Sequence, residues 1–195
     1  LWGSDGLAIT NSSTSNMSPR LTMLEDNSVV VTCSHNDGEV FFQRISPNGD
    51  LLWGEGIVKT DESMYLVSPQ SIVDDNGHIM FQWIRQSSGW PIYSEIFVQK
   101  YGINGDSIWM EPVLIVGPTS FPMGNFSQEI HPASDGGCYS TWTELSGNVQ
   151  NAIVESITDD GSSLWNGGID LSENSSHFRI SPTLAIAESS DEVMA

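Results

Sequence analysis

Residues 42–56 read FQRISPNGDLLWGEG, residues 98–112 VQKYGINGDSIWMEP and residues 154–168 VESITDDGSSLWNGG. The three stretches share one frame. Gly49, Gly105 and Gly161 each stand four residues before Trp53, Trp109 and Trp165, and Asn48, Asn104 and Asp160 each precede that glycine. Asn-Gly and Asp-Gly are favoured in tight hairpin turns because both residues tolerate positive φ. Each stretch therefore reads as a strand, a tight turn and a short segment ending at tryptophan. Leu1-Trp2 repeats the ending, so the motif recurs at intervals of 51, 56 and 56 residues. A period of that size marks an array of supersecondary units.

Working outward, a second anchor keeps step with the first. Ser18-Pro19, Ser68-Pro69, Ser127-Gln128 and Ser181-Pro182 each begin a matching stretch, SPQSIVDDNGHIMFQW from Ser68 to Trp83 and SQEIHPASDGGCYSTW from Ser127 to Trp142. In the second unit the first strand is expected near Gln70–Val73, with a turn at Asp74–Gly77. The second is expected near His78–Ile84, where Ile79, Phe81 and Trp83 alternate with Met80 and Gln82 at strand period. A third is expected near Ile96–Tyr101 and a fourth through Ile108-Trp109. Four short antiparallel strands per unit, with no helical spacing, fit the blade of a β-propeller. The fold class is all-β: about three complete four-stranded blades plus a partial one, in one partial propeller domain over 1–195. The units run approximately 1–17 (the end of a blade), 18–60, 68–116, 127–171 and 181–195 (the start of a blade). Trp53, Trp109 and Trp165 are expected to fill the gaps between successive sheets.

The Gly-x-x-x-Trp ending resembles the tryptophan-docking repeat of quinoprotein-type propellers. The fuller pattern, carried by Gln43-Arg44, Gly49, Trp53 and Gly56 and more loosely by Gln99-Lys100, Gly105 and Trp109, resembles repeats in large exported surface proteins of Bacteroidetes associated with type IX secretion. That resemblance implies a propeller, export and an extracellular or cell-surface location. It implies no activity. Sialidase Asp-boxes fit less well, because Gly49 falls one place early, and the kelch double glycine occurs at Gly136-Gly137 but not at Gly77-His78.

Charge narrows the choice of partner. Six Lys and Arg against 25 Asp and Glu give a net charge of −19. Such a surface repels phosphate backbones and anionic headgroups, so nucleic acid is excluded as a partner. No apolar run is long enough to span a membrane. Cys33 and Cys138 occupy different repeat positions and are expected as buried free thiols.

No catalytic constellation is visible. His35, His78, His131 and His177 show no pattern with Ser or Cys and read as surface or turn residues. No zinc-like spacing and no Asp-x-Asp-x-Asp-Gly run occurs, so no cofactor is expected, with calcium the one ion to consider. The irregular segments Gln86–Ser94 and Gly117–Phe126 are the binding candidates, through Trp90, Tyr93, Phe121 and Phe126, because loops on rigid scaffolds carry recognition. The expected function is a non-enzymatic exported binding or scaffold module for protein or glycan contacts. Unprotected blade edges would seek a protein partner or a second copy. The competing expectation is part of a secreted, glycan-active propeller hydrolase whose catalytic residues lie outside this chain.

Overall fold

The computed structural model of the chain describes residues 6–10, 15–119, 128–146, 149–172, 182–186 and 193–194. No helix occurs among the described residues. The first sheet contains β1 (Asn16–Met23), β2 (Val29–His35), β3 (Val40–Ile45) and β4 (Ile57–Lys59). The second contains β5 (Met64–Val73), β6 (Ile79–Ser87), β7 (Ser94–Tyr101) and β8 (Val113–Thr119). The third contains β9 (Gln128–Pro132), β10 (Cys138–Ser146), β11 (Val149–Ile157) and β12 (Ile169–Asp170), and a hairpin of β13 (Ala185–Ile186) and β14 (Val193–Met194) follows. Each four-stranded sheet is an antiparallel meander with its strands in chain order. This is the expected all-β blade architecture.

The first strands of successive sheets adjoin. The Thr22 hydroxyl donates to the Ser71 carbonyl at 2.7 Å. The Gln70 amide donates to the Gln128 carbonyl, and the Gln128 amide returns a bond to the Ser68 carbonyl at 2.7 Å.

The second sheet is covered on both faces, and its alternation shows how. Ile79, Phe81 and Trp83 face the first sheet and pack with Leu24, Val30, Val40 and Phe42. Met80 and Ile84 face the third and pack with Ile130, Cys138, Trp142 and Ile153. Phe42 and Phe81 meet at a ring separation of 4.0 Å. Each large apolar side chain buried contributes about 1.5–3 kcal/mol, so face-to-face packing supplies most of the cohesion between sheets. Cys33 and Cys138 are both buried free thiols.

Two expectations are corrected in detail. The fourth strand does not run through Ile108-Trp109. Residues 107–112 form an irregular turn, tied by the Ile108 and Trp109 amides to the Lys100 carbonyl, and the strand follows at Val113. The reason is that the tryptophan leaves the sheet plane to reach its neighbour. The first strand is also longer than the expected Gln70–Val73, since β5 begins at Met64 and the Ser-Pro anchor lies inside it. Ser18 and Ser68 have φ of 52° and 54°, and pairing shifts register there, so Ser-Pro marks a β-bulge inside β1 and β5.

At one end of the sheets the turns lock each blade to the next. The Trp53 indole N–H donates to the Ile103 carbonyl at 3.1 Å, and the Trp109 indole donates to the Asp159 carbonyl at 2.9 Å. These carbonyls belong to the following blade's Gly105 and Gly161 turns. A Cβ on Gly105 would lie 3.1 Å from the Trp53 ring. A cation reinforces each contact. Arg44 bonds Asp26 and Ser28 of its own blade and the Ile103 carbonyl of the next. Lys100, fully buried, bonds Asp74 of its own blade at 2.8 Å together with Asp159 and the Gly136 carbonyl of the next. The third blade has Ser156 at this position. Its preceding residue, Glu155, is buried and accepts four hydrogen bonds from its own blade, from the Ser156, Trp165 and Gly167 amides and the Ser163 hydroxyl.

Candidate functional site

The opposite end of the sheets carries the β2–β3 and β6–β7 hairpins and the link 60–63 between the first two blades. Here the repeat breaks down. Two residues beyond the equivalent Cys33, Trp83 and Trp142 stand His35, Arg85 and Glu144. Their cross-strand neighbours also differ: Glu39 faces His35, Glu95 faces Arg85, and Asn151 faces Glu144. Variable hairpins on a regular scaffold are where recognition is normally placed.

Asp61 organises this end. One of its oxygens accepts the Ser63 and Met64 amides at 2.9 and 3.0 Å, and the other accepts the Arg85 guanidinium at 3.2 Å. The Ser63 amide and hydroxyl, with Arg85, hold its carboxyl below the usual range. Asp61 is therefore a fixed anion. Arg85 is clamped from the other side by Glu95 at 2.6 Å and lies over the Phe97 ring at 5.2 Å.

Two clefts meet at Asp61. One, of about 200 Å³, is lined by Asp37, Glu62, Ser63, Tyr65 and Ser88. The other, of about 150 Å³, is lined by Lys59, Leu66, Trp83, Arg85 and Phe97. Burial holds Lys59 below the usual lysine range, opposed by the charge of Glu111, and its ammonium sits 5.4 Å over the Tyr101 ring. Exposed aromatic rings occur at the cleft, through Tyr65, and on the hairpin that borders it. Trp90 is 79% exposed, Tyr65 46% and Tyr93 45%. Trp90 and Tyr93 lie on the β6–β7 hairpin, the same hairpin that supplies Ser88. The Tyr93 amide donates to the Ser87 hydroxyl at 2.9 Å, which fixes the hairpin's return.

The sequence-derived candidates are thus only partly brought together. Trp90 and Tyr93 share one hairpin beside the cleft. Phe121 and Phe126 lie outside the described residues. Trp53 and Trp109 sit at blade junctions, while Trp165 stacks on Tyr139 at 6.0 Å. Gly49, Gly105 and Gly161 have φ of 96°, 88° and 87°, in the left-handed region their turns require. Sequence reasoning missed Asp37, Asp61, Glu62 and Arg85, which were one carboxylate or guanidinium among many. It also read His35 as a surface or turn residue; His35 ends β2 directly before the turn, with its side chain 5% exposed. Extending the repeat alignment two residues past Trp83 would have singled out the His35–Arg85–Glu144 position.

No described protein family matches the chain, and no curated relative matches it. Among solved structures the chain is similar to an endo-arabinase from Bacteroides thetaiotaomicron, at 13% identity and a TM-score of 0.49, the likeness covering 83% of this chain and 63% of that one. The chain therefore spans less than two thirds of that neighbour's length. The neighbour is an enzyme, and the expectation of a non-enzymatic chain is withdrawn on that finding. Among the described residues no helix is long and apolar enough to cross a membrane.

Proposed function

We propose that this chain forms the glycan-contacting part of an exported propeller that acts on polysaccharide, with the sugar lying across the acidic cleft between the first two blades. The observation that carries the reading is the occurrence of exposed rings beside a cleft lined by carboxylates, of which Asp61 is held in place. Trp90, Tyr65 and Tyr93 offer flat apolar faces to the C–H faces of sugar rings. Asp37, Asp61 and Glu62 offer carboxylate oxygens to hydroxyl donors, which is how polar groups set orientation in a concave site. The excess of carboxylates across the surface disfavours an anionic polymer at long range. The ligand class is accordingly a neutral polysaccharide.

Affinity electrophoresis through gels cast with neutral plant polysaccharides, arabinan included, tests binding. Reducing-sugar release by the same protein tests turnover. Retardation by at least one polysaccharide, lost in Trp90→Ala, is expected. Trp90 is 79% exposed, so the variant should keep its unfolding free energy within about 0.5 kcal/mol of the parent. Equal migration in every gel would sink the proposal, as would retardation that persists in a Trp90→Ala, Tyr93→Ala double variant.

A further inference from the structure

We infer that the β2–β3 hairpin of the first blade is a transition-metal site, with His35, Asp37 and Glu39 as its protein ligands. This goes beyond the glycan reading and does not depend on it. The hairpin reads His35-Asn36-Asp37-Gly38-Glu39, so the three ligand residues alternate along a tight turn. A ring nitrogen of His35 and one oxygen of each carboxylate lie within 4.8 Å of one another. His35 Nδ1 is 3.5 Å from Glu39 Oε2. A small cation between them would need only side-chain adjustments to reach all three at about 2.0–2.2 Å.

Three features separate this cluster from the chain's scattered surface acids. His35 is buried, 5% exposed, and stacked on Phe41 at 5.7 Å. Its side chain makes no hydrogen bond among the described residues, and Nε2 is buried without a partner. Nδ1 has only the 3.5 Å approach to Glu39, a weak contact for a buried imidazole, and coordination through Nδ1 would replace it with a shorter bond. The turn is also held rigid. The His35 amide donates to the Glu39 carbonyl at 2.8 Å, and the Gly38 carbonyl accepts the Leu66 amide of the second blade at 2.8 Å. Gly38 has φ of 88°, and a Cβ there would strike the Tyr65 ring. Finally, the equivalent hairpins carry Arg85 with Glu95, and Glu144 with Asn151, so the cluster is particular to the first blade.

One imidazole with two carboxylates suits Zn²⁺, Mn²⁺ or Co²⁺, whereas Ca²⁺ takes six to eight oxygens and no nitrogen. Coordination through Nδ1 places the single proton of the neutral imidazole on Nε2. Nε2–H then has no acceptor among the described residues, and lack of such outer support costs about 10–100-fold in affinity. The site should therefore be of moderate strength. Asp37 also lines the acidic cleft, which would leave the ion's open positions beside it.

Isothermal titration of the metal-free chain with Zn²⁺, Mn²⁺ and Ca²⁺, in the absence of any glycan, tests this. One Zn²⁺ per chain is expected, at least about tenfold tighter than Ca²⁺. Asp37→Asn and Glu39→Gln, each on a side chain that is not buried, should each weaken Zn²⁺ by at least about tenfold with an unchanged thermal midpoint. Absence of Zn²⁺ binding overturns the inference. So does Ca²⁺ binding as tight as Zn²⁺, or Zn²⁺ binding that neither substitution weakens, since both describe cations condensed on an acidic surface. Zn²⁺-induced shifts confined to one of the four histidine imidazoles, read by NMR, check the ligand assignment should either variant fold poorly.

Discussion

Replacing Lys100 with methionine isolates an ion pair buried on both sides. Lys100 and Asp74 are both essentially without solvent exposure, at 1% and 0% of side-chain area, and 2.8 Å apart. Burial alone would lower the lysine, but Asp159 and Asp74 outweigh it and hold Lys100 above its usual range. Burial alone would raise Asp74, but Lys100 and the His78 amide hold its carboxyl below the usual range. Methionine keeps most of the packing volume and leaves Asp74 as a buried anion without its cation. Breaking a buried pair from one side costs about 3–5 kcal/mol. Asp74 keeps the Asn76 and His78 amides at 2.9 and 2.8 Å, so the lower figure, about 3 kcal/mol, applies. For a chain of this size each kcal/mol moves the thermal midpoint by about 2–4 °C. Scanning calorimetry at pH 7 should show Lys100→Met melting about 6–12 °C lower, and Lys100→Met with Asp74→Asn should recover most of the loss. The pH profile carries a sign for each partner. The lysine's contribution is present below its unfolded pKa and is lost as pH rises through the raised folded value, above about pH 10. The aspartate's contribution is present above about pH 4 and is lost as pH falls through its lowered folded value. A single-variant shift under about 1 °C, or a double variant no better than the single, would refute the reasoning.

Other consequences are quickly checked. Gly105→Ala combines φ of 88° with a Cβ 3.1 Å from Trp53, whereas Gly54→Ala meets nothing within 4 Å at φ of 59°. Both should destabilise by about 1 kcal/mol through backbone strain, and urea melts should show Gly105→Ala the worse of the two. Burial pushes the Cys138 thiol up to about 12 and raises Cys33 as well. Neither should react with a thiol reagent at pH 8 until denaturant is added, and rapid labelling of the native chain would contradict the packing described.

The repeat was legible because each junction demands particular residues. An indole that must donate to a carbonyl on the next blade fixes Trp53 and Trp109, and a turn passing beneath that ring fixes Gly105 and Gly161. The alternation of Ile79, Phe81 and Trp83 with Met80 and Ile84 was legible because a sheet covered on both sides still has period two. The position of β8 was not, since Val113–Thr119 is a half-buried outer strand whose burial follows no clean alternation. Ser-Pro could be seen as recurrent, but the φ of Ser68 that makes it a bulge has no separate letter. The cleft was the least legible part. Asp37, Asp61 and Arg85 come from three segments whose residues differ from blade to blade, and only the stacking of one blade on another brings them to a shared rim.

The junctions have a consequence for how such a chain can grow. The first two units each carry a plug, Trp53 with Arg44 and Trp109 with Lys100, and the unit after each carries the matching socket, a glycine turn presenting the Ile103 or Asp159 carbonyl. Plug and socket sit on the same unit, facing opposite neighbours. Copying one whole unit in tandem therefore reproduces a working joint on both of its sides without any compensating change. The hairpins at the other end take no part in the joint, so a copied unit is free to diverge there.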